Sequence, residues 1–188
     1  RRASPDTGNS DGGEMEGLFT SRTRATEHGL DVNGYDRVAA PGQQCCGALH
    51  AHAGDAATAR TRARANIAAF EKSGAQFVCT NSAGCGAAMK EYSQLLRDDP
   101  EWRDRAAAFD TRVRDVSELL AVAGPRTAGP LPGAPTVTYD APCHLQPGQH
   151  VTIPPLTVLA AIDQLTPIPL TDSDQCCGSA GIYNLIEP

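Results

Sequence analysis

Lysine is nearly missing from this chain: of 16 basic residues, only Lys72 and Lys90 are lysines. The basic residues are outnumbered by 22 acidic ones, for a net charge of −6. That balance gives no support to nucleic acid or an anionic membrane surface as partner. No run approaches the ~20 apolar residues of a membrane-spanning helix, and the polar start RRASPDTGNSDGG lacks the apolar core of a signal peptide. Nothing resembles a flavin or nicotinamide site either, so hydride chemistry is expected to belong to a partner. The chain's 188 residues suffice for one domain or two small ones with a real core.

Cysteine, by contrast, is abundant and patterned. Seven cysteines are an odd count, unsuited to a closed set of disulfides. Without an export signal, clustered cysteines point to metal binding or catalysis. Four of them form two Cys-Cys-Gly tripeptides, Cys45-Cys46-Gly47 and Cys176-Cys177-Gly178. A bridge between neighbouring cysteines closes a strained ring. Two adjacent thiolates can instead serve one iron–sulfur cluster, the glycine letting backbone approach the inorganic core.

Residues 1–13 are polar and rich in Gly, Ser and Asp and read as disordered, with a weak amphipathic helix expected from Leu18 to His28. Arg37–Ala40 reads as a short strand leading through Pro41-Gly42 to the first Cys-Cys-Gly. A helix is expected from an Asp55 cap to Lys72, stopped by Gly74, with Ala59, Ala63, Ile67 and Phe70 inward and arginines outward. Ala75–Cys79 reads as a buried strand, residues 81–86 as a loop holding Cys85, and Ala87–Leu96 as a helix. Another helix is expected to open at Asp99-Pro100. Asp115 and Glu118 form a capping box for a helix to Ala123. Residues 124–135 (GPRTAGPLPGAP) are the clearest linker. Beyond it come a strand at 136–139, Cys143 in a Pro-Cys-His loop, a helix near Leu156–Ile162 and a strand at Thr166–Leu170 before the second Cys-Cys-Gly.

This alternation predicts an α/β fold of two similar halves, 14–123 and 136–188, each with a short parallel sheet and cysteine loops at the carboxyl ends of its strands. Cys143 and Cys176 are separated by 32 residues, and Gly47 and Cys85 by 37. Either interval accommodates a helix and a strand, so the thiols can converge at one sheet end. Superposing the halves suggests a unit of lone Cys, Cys-Cys-Gly, lone Cys. Each half shows three of the four cysteines: the first lacks the upstream one, and the second would place its last beyond Pro188.

Units of this shape resemble the cysteine-rich domain of heterodisulfide reductase B subunits and of the iron–sulfur subunits of glycolate and lactate dehydrogenases. The glycolate oxidase iron–sulfur subunit is the nearest in pattern. The resemblance rests on PGQQCCGAL at 41–49, NSAGCGAAMKEY at 81–92, LLRDDP at 95–100, RVRDVSE at 112–118 and CCGSAGIYNL at 176–185. It implies a cluster of 4Fe-4S type, cubane or non-cubane, held by Cys45, Cys46, Cys85, Cys143, Cys176 and Cys177. It also implies electron transfer, rather than substrate oxidation, from flavin-binding glycolate dehydrogenase subunits toward the membrane quinone pool. The expected setting is the cytoplasm, with or without peripheral attachment to the inner membrane face. Family members usually carry an N-terminal ferredoxin-like domain. No Cys-x-x-Cys-x-x-Cys run occurs here, so a C-terminal fragment or truncated homologue is expected.

Blander readings compete at each site. Cys79, inside the apolar run Phe77-Val78-Cys79, is expected to pack as a small hydrophobe. His50, His52 and His144 lie near cysteines but read more readily as solvated or capping residues than as ligands. Arg60, Arg62 and Arg64 read as a solvated helix face before an acidic-partner dock, and Trp102 as a packing anchor. Two rival functions stand beside electron transfer: a cluster-dependent thiol–disulfide reductase and a structural four-thiolate zinc module.

Overall fold

The longest helix shows how the sequence builds the first half. In the computed structural model, which describes residues 6–9, 20–126, 129–173 and 175, Ala56–Ser73 is helical. The Asp55 carboxylate accepts from the Thr58 N–H at 3.0 Å, and Gly74 ends the helix at φ 71°. Ala59, Ala63, Ile67 and Phe70 are fully buried along one stripe, as the periodicity predicts. Burial of Ile67 and Phe70 contributes roughly 1.5–3 kcal/mol each.

In chain order the elements are β1 (Asp6–Asn9), α1 (Thr20–Val32), β2 (Asp36–Val38), α2 (Ala48–His52), α3 (Ala56–Ser73), β3 (Phe77–Thr80), α4 (Ala83–Met89) and α5 (Tyr92–Leu95). Then follow α6 (Arg103–Asp110), β4 (Val113–Asp115), α7 (Val116–Ala123), β5 (Thr136–Thr138), α8 (Gln146–Gln149), α9 (Ile153–Ala160) and β6 (Thr166–Ile168). The first four strands form one parallel sheet in the order β2-β1-β3-β4, and β5 and β6 pair in parallel beyond the linker. The α/β class and the short parallel sheets are therefore as the alternation predicts.

Strand β3 explains why its sequence reads as a continuous apolar run. Successive side chains leave a strand on opposite faces. Val78 joins a core with Ile67, Phe70, Met89, Tyr92, Phe109 and Val113, whereas Cys79 joins a second core with Leu30, Tyr35 and Leu119. Both faces of the sheet are covered, as parallel sheets require. Cys79 is fully buried and packs as the expected small hydrophobe.

Three expectations need correction, and one strand is additional to them. Asp6–Asn9, inside the segment expected to be disordered, is a strand between β2 and β3; backbone pairing on both edges supplies what its polar sequence could not advertise. The rest of residues 1–13 and the beginning of the Leu18–His28 helix lie outside the described residues. The helix expected from Ala87 to Leu96 starts earlier and is broken: α4 begins at Ala83, the chain turns at Lys90-Glu91, and α5 begins at Tyr92. The helix expected at Pro100 starts at Arg103 instead, because the Asp99 carbonyl first closes a turn with the Trp102 and Arg103 N–H groups at 3.1 and 2.9 Å. Strand β4 was not anticipated: three residues with Arg114 at their centre carry no usable period. The Asp115–Glu118 capping box is present and complete at α7. Trp102 packs against the first core with the Arg105 guanidinium 3.8 Å above its ring.

Candidate metal centre

The first Cys-Cys-Gly follows β2 through a turn in which the Gln43 N–H meets the Ala40 carbonyl at 3.1 Å. Cys45 is exposed, and Cys46 is 7% exposed. Gly47 adopts φ 85° as it opens α2, and a Cβ added there would lie 3.2 Å from the Ala59 Cα. Only glycine meets both demands, the left-handed backbone and the close approach to α3. Gly47→Ala is therefore expected to cost at least the roughly 1–2 kcal/mol of a left-handed non-glycine residue. A lowered midpoint in thermal unfolding would show it.

Cys85 stands at the carboxyl end of β3, one strand over from β2 across β1, but inside the first turn of α4 and not in the loop the sequence suggests. Its thiol and that of Cys46 face one another as hydrogen-bond partners. The bond from Cys46 lowers the Cys85 pKa to about 6, with the Ser82 hydroxyl assisting and burial opposing. The same bond, with burial, pushes the Cys46 thiol up. The pair thus resembles one thiolate holding its neighbour's proton.

The second half delivers Cys143 to this region. The Pro142 carbonyl accepts from the Leu145 and Gln146 N–H groups at 2.8 and 3.0 Å, and the Cys143 carbonyl from that of Gly148 at 3.0 Å. This turn sets α8 against α4, where the Gln149 Nε2 donates to the Ala83 carbonyl at 2.9 Å. Gly86 is the seat: a Cβ there would lie 2.6 Å from the Gln149 Nε2 and 2.8 Å from the Thr80 Oγ1. Across the junction the rings of His52 and His144 stack with centroids 6.2 Å apart. They border a cleft of about 540 Å³ lined by Cys46, Gly47, Gly84 and Ala88 among others.

The structure therefore brings Cys46 against Cys85 and sets Cys45 and Cys143 on loops beside the same cleft. Cys176 and Cys177 lie outside the described residues. Among the described residues, no three Cys, His, Asp or Glu side chains gather as a metal group. The donor chemistry fits a soft metal nonetheless: Cys85 is an acidic thiol in contact with a second thiol, and thiolates select iron–sulfur clusters or zinc. The arginine face is engaged within the chain. Arg64 pairs with Asp99 at 2.6 Å, the Arg60 Nε donates to the Leu95 carbonyl at 3.1 Å, and Arg62 donates to the Gln44 side chain beside Cys45.

Two residues escaped the sequence reading. Asn66 and Tyr92, both 1% exposed, lie beneath the Cys-Cys turn. Asn66 accepts from the Gln44 N–H at 2.6 Å and donates to the Cys45 carbonyl at 3.2 Å and to the Tyr92 hydroxyl at 3.0 Å. Tyr92 in turn donates to the Cys46 carbonyl at 2.8 Å. The signal for Asn66 was available: it interrupts the buried stripe of α3, next to Ile67.

The family model described as a cysteine-rich domain (CCG) matches residues 15–90 and 137–188, the segments that hold all seven cysteines. The chain is 41% identical over 174 residues to the "Probable glycolate oxidase iron-sulfur subunit" of Bacillus subtilis (strain 168), covering 92% of this chain and 39% of that protein. It is 34% identical to the "Glycolate oxidase iron-sulfur subunit" of Escherichia coli (strain K12), covering 91% of this chain and 42% of the relative. To "Lactate utilization protein A" of Exiguobacterium sp. (strain ATCC BAA-1283 / AT1b) it is 28% identical, covering 91% and 70%. The chain thus spans about two fifths of the length of the two glycolate oxidase relatives. With two matched segments, 15–90 and 137–188, each containing one Cys-Cys-Gly, the chain belongs to the CCG cysteine-rich domain family.

Proposed function

We propose that this chain is the cysteine framework of an iron–sulfur electron-transfer subunit in a glycolate-type 2-hydroxyacid dehydrogenase. The observation that carries the reading is the Cys46–Cys85 contact, a thiol–thiolate pair set by two parallel strands at the cleft where the Cys143 loop docks. Cys45, Cys46 and Cys85 from the first half, with Cys143, Cys176 and Cys177 from the second, would hold a cluster of 4Fe-4S type, cubane or non-cubane. Such a group supplies one-electron redox chemistry when bound.

The residues themselves do the remaining work. Cys85 offers a thiolate near neutral pH, and Cys46 gives up its proton on ligation, so binding releases protons and weakens in acid. Gly47, Gly84 and Ala88 line the cleft with little side-chain bulk. Electrons would arrive from a flavin-bearing partner and leave toward quinone; the relatives' names support only the iron–sulfur subunit role. The two halves, 14–123 and 136–188, would act as diverged copies of one cysteine unit.

A second reading draws on the same contact: an acidic thiol beside a protonated one is also what thiol–disulfide exchange uses. Iron and acid-labile sulfide, measured per chain after anaerobic purification, separate the two. Near-equal iron and sulfide, both falling severalfold in Cys46→Ser and Cys85→Ser, is the expected result. Stoichiometric zinc in a colourless protein, or disulfide turnover by an iron-free chain, would overturn the cluster reading.

A further inference from the structure

The side chains of Asn66 and Tyr92 spend all their described hydrogen bonds on one short stretch of backbone and on each other. The proton directions are fixed by elimination. The Gln44 N–H can only donate, so the Asn66 atom that meets it is Oδ1, and Nδ2 must face the Cys45 carbonyl and the Tyr92 hydroxyl. The tyrosine oxygen therefore accepts from Asn66, and its single proton goes to the Cys46 carbonyl.

Packing alone does not call for these groups. The Tyr92 ring stacks on Phe109 with centroids 5.4 Å apart, a contact phenylalanine would make equally well. Burying a hydroxyl and a carboxamide is unfavourable unless every bond is made. Here three of the four bonds fall on Gln44, Cys45 or Cys46, and the fourth joins the two side chains. Tyr92 also opens α5, immediately after the helix that carries Cys85, so the network ties both thiol-bearing segments to α3.

We propose that Asn66 and Tyr92 are positioning residues that clamp the Gln44–Cys46 backbone and thereby fix the Cys46 sulfur opposite Cys85. The inference rests on the proposed function only in treating Cys45 and Cys46 as donors; the clamp itself exists without any metal.

The test is site-resolved alkylation of the cluster-free full chain, with Cys46 and Cys79 labelling followed by peptide mass spectrometry. Cys79, fully buried in the other core, reports global opening. Tyr92→Phe, which removes only the hydroxyl, and Asn66→Asp, which keeps the acceptor and loses the donor, are each expected to speed Cys46 labelling roughly tenfold while Cys79 stays slow. Ile67→Val, one position along α3, is expected to leave the Cys46-to-Cys79 ratio unchanged. Unchanged Cys46 labelling in Tyr92→Phe, or a parallel rise at Cys79, would overturn the clamp. Iron and sulfide in the same proteins judge the cluster separately: a clamp-positive, iron-free chain would sink the proposed function alone. If the cluster is present, a shifted reduction potential in Tyr92→Phe at unchanged iron content is the second expected signature.

Discussion

In the cluster-free protein, Cys85 is expected to attack an aromatic disulfide reagent with a midpoint near pH 6, set by its lowered pKa. An ordinary thiol titrates near pH 8.5. At pH 7 the shift gives roughly thirtyfold more thiolate, but a more acidic thiolate is intrinsically less nucleophilic, which offsets about tenfold of that gain. The absolute rate is therefore a weak indicator and the pH profile a strong one. Cys46→Ser and Ser82→Ala weaken or remove the bonds that stabilise the thiolate, so both are expected to move the midpoint upward, Cys46→Ser by more. A midpoint that stays near 8.5 in the unsubstituted chain would refute the thiolate assignment.

The same pair makes stability depend on pH with a definite sign. Between about pH 6 and the ordinary thiol range, folded Cys85 has lost a proton that the unfolded chain retains, so stability rises with pH. Above that range the unfolded chain ionises both cysteines while Cys46 stays protonated in the fold, and stability falls. The contribution of the pair is thus fully present near the ordinary thiol pKa and fades in both directions. Chemical denaturation of cluster-free protein from pH 6 to 10, compared with Cys46→Ser, isolates it.

Gly86→Ala is the second large effect. The added methyl would lie inside contact distance of both the Gln149 amide and the Thr80 hydroxyl. Gln149 is a long side chain that could swing aside, but doing so breaks its 2.9 Å bond to the Ala83 carbonyl. Thr80 is buried in β3 and has no comparable freedom. Overpacking of this kind costs roughly 1–3 kcal/mol. Gln149→Ala removes one of the two clashes, so the double substitution should be less destabilised than the sum of the single ones. Strict additivity would mean that α8 does not sit against Gly86 in solution. The loop carrying Cys143 depends on the same seat, so iron retention in Gly86→Ala should fall along with stability.

What the sequence disclosed, and what it hid, follows from how far each signal reaches. The helix 56–73 and the capping box at Asp115 are local: cap, period and stop lie within a few residues, and the chain folds there as read. Cys79 was legible as core because three apolar neighbours cannot all be exposed in a strand covered on both faces. Strand β1 was not, since DTGN has no apolar pattern and its stability comes from neighbours about 30 and 70 positions away, an order-of-magnitude separation local propensity does not register. The glycines flanking Cys85 discourage a helix and suggest a loop; docking of Gln149 on Gly86 supplies a tertiary reason for a helix to form there. The thiol pair was legible as chemistry but not as geometry. Adjacent cysteines with remote partners announce soft-metal ligation, whereas only the fold selects Cys85, and not Cys79, to meet Cys46.

That selection is made by a single peptide unit in β3. Because Val78 and Cys79 leave the strand on opposite sides, the sheet keeps Cys79 apart from Cys46 and Cys85, in a compartment with a different solvent history. Cys45 reads the surface, Cys85 a half-buried position and Cys79 the sealed far side. The protein therefore contains its own three-mark gauge of unfolding. During oxidative damage, the order in which these sulfurs are modified would record how far the molecule had opened, with Cys79 as the last mark to be reached.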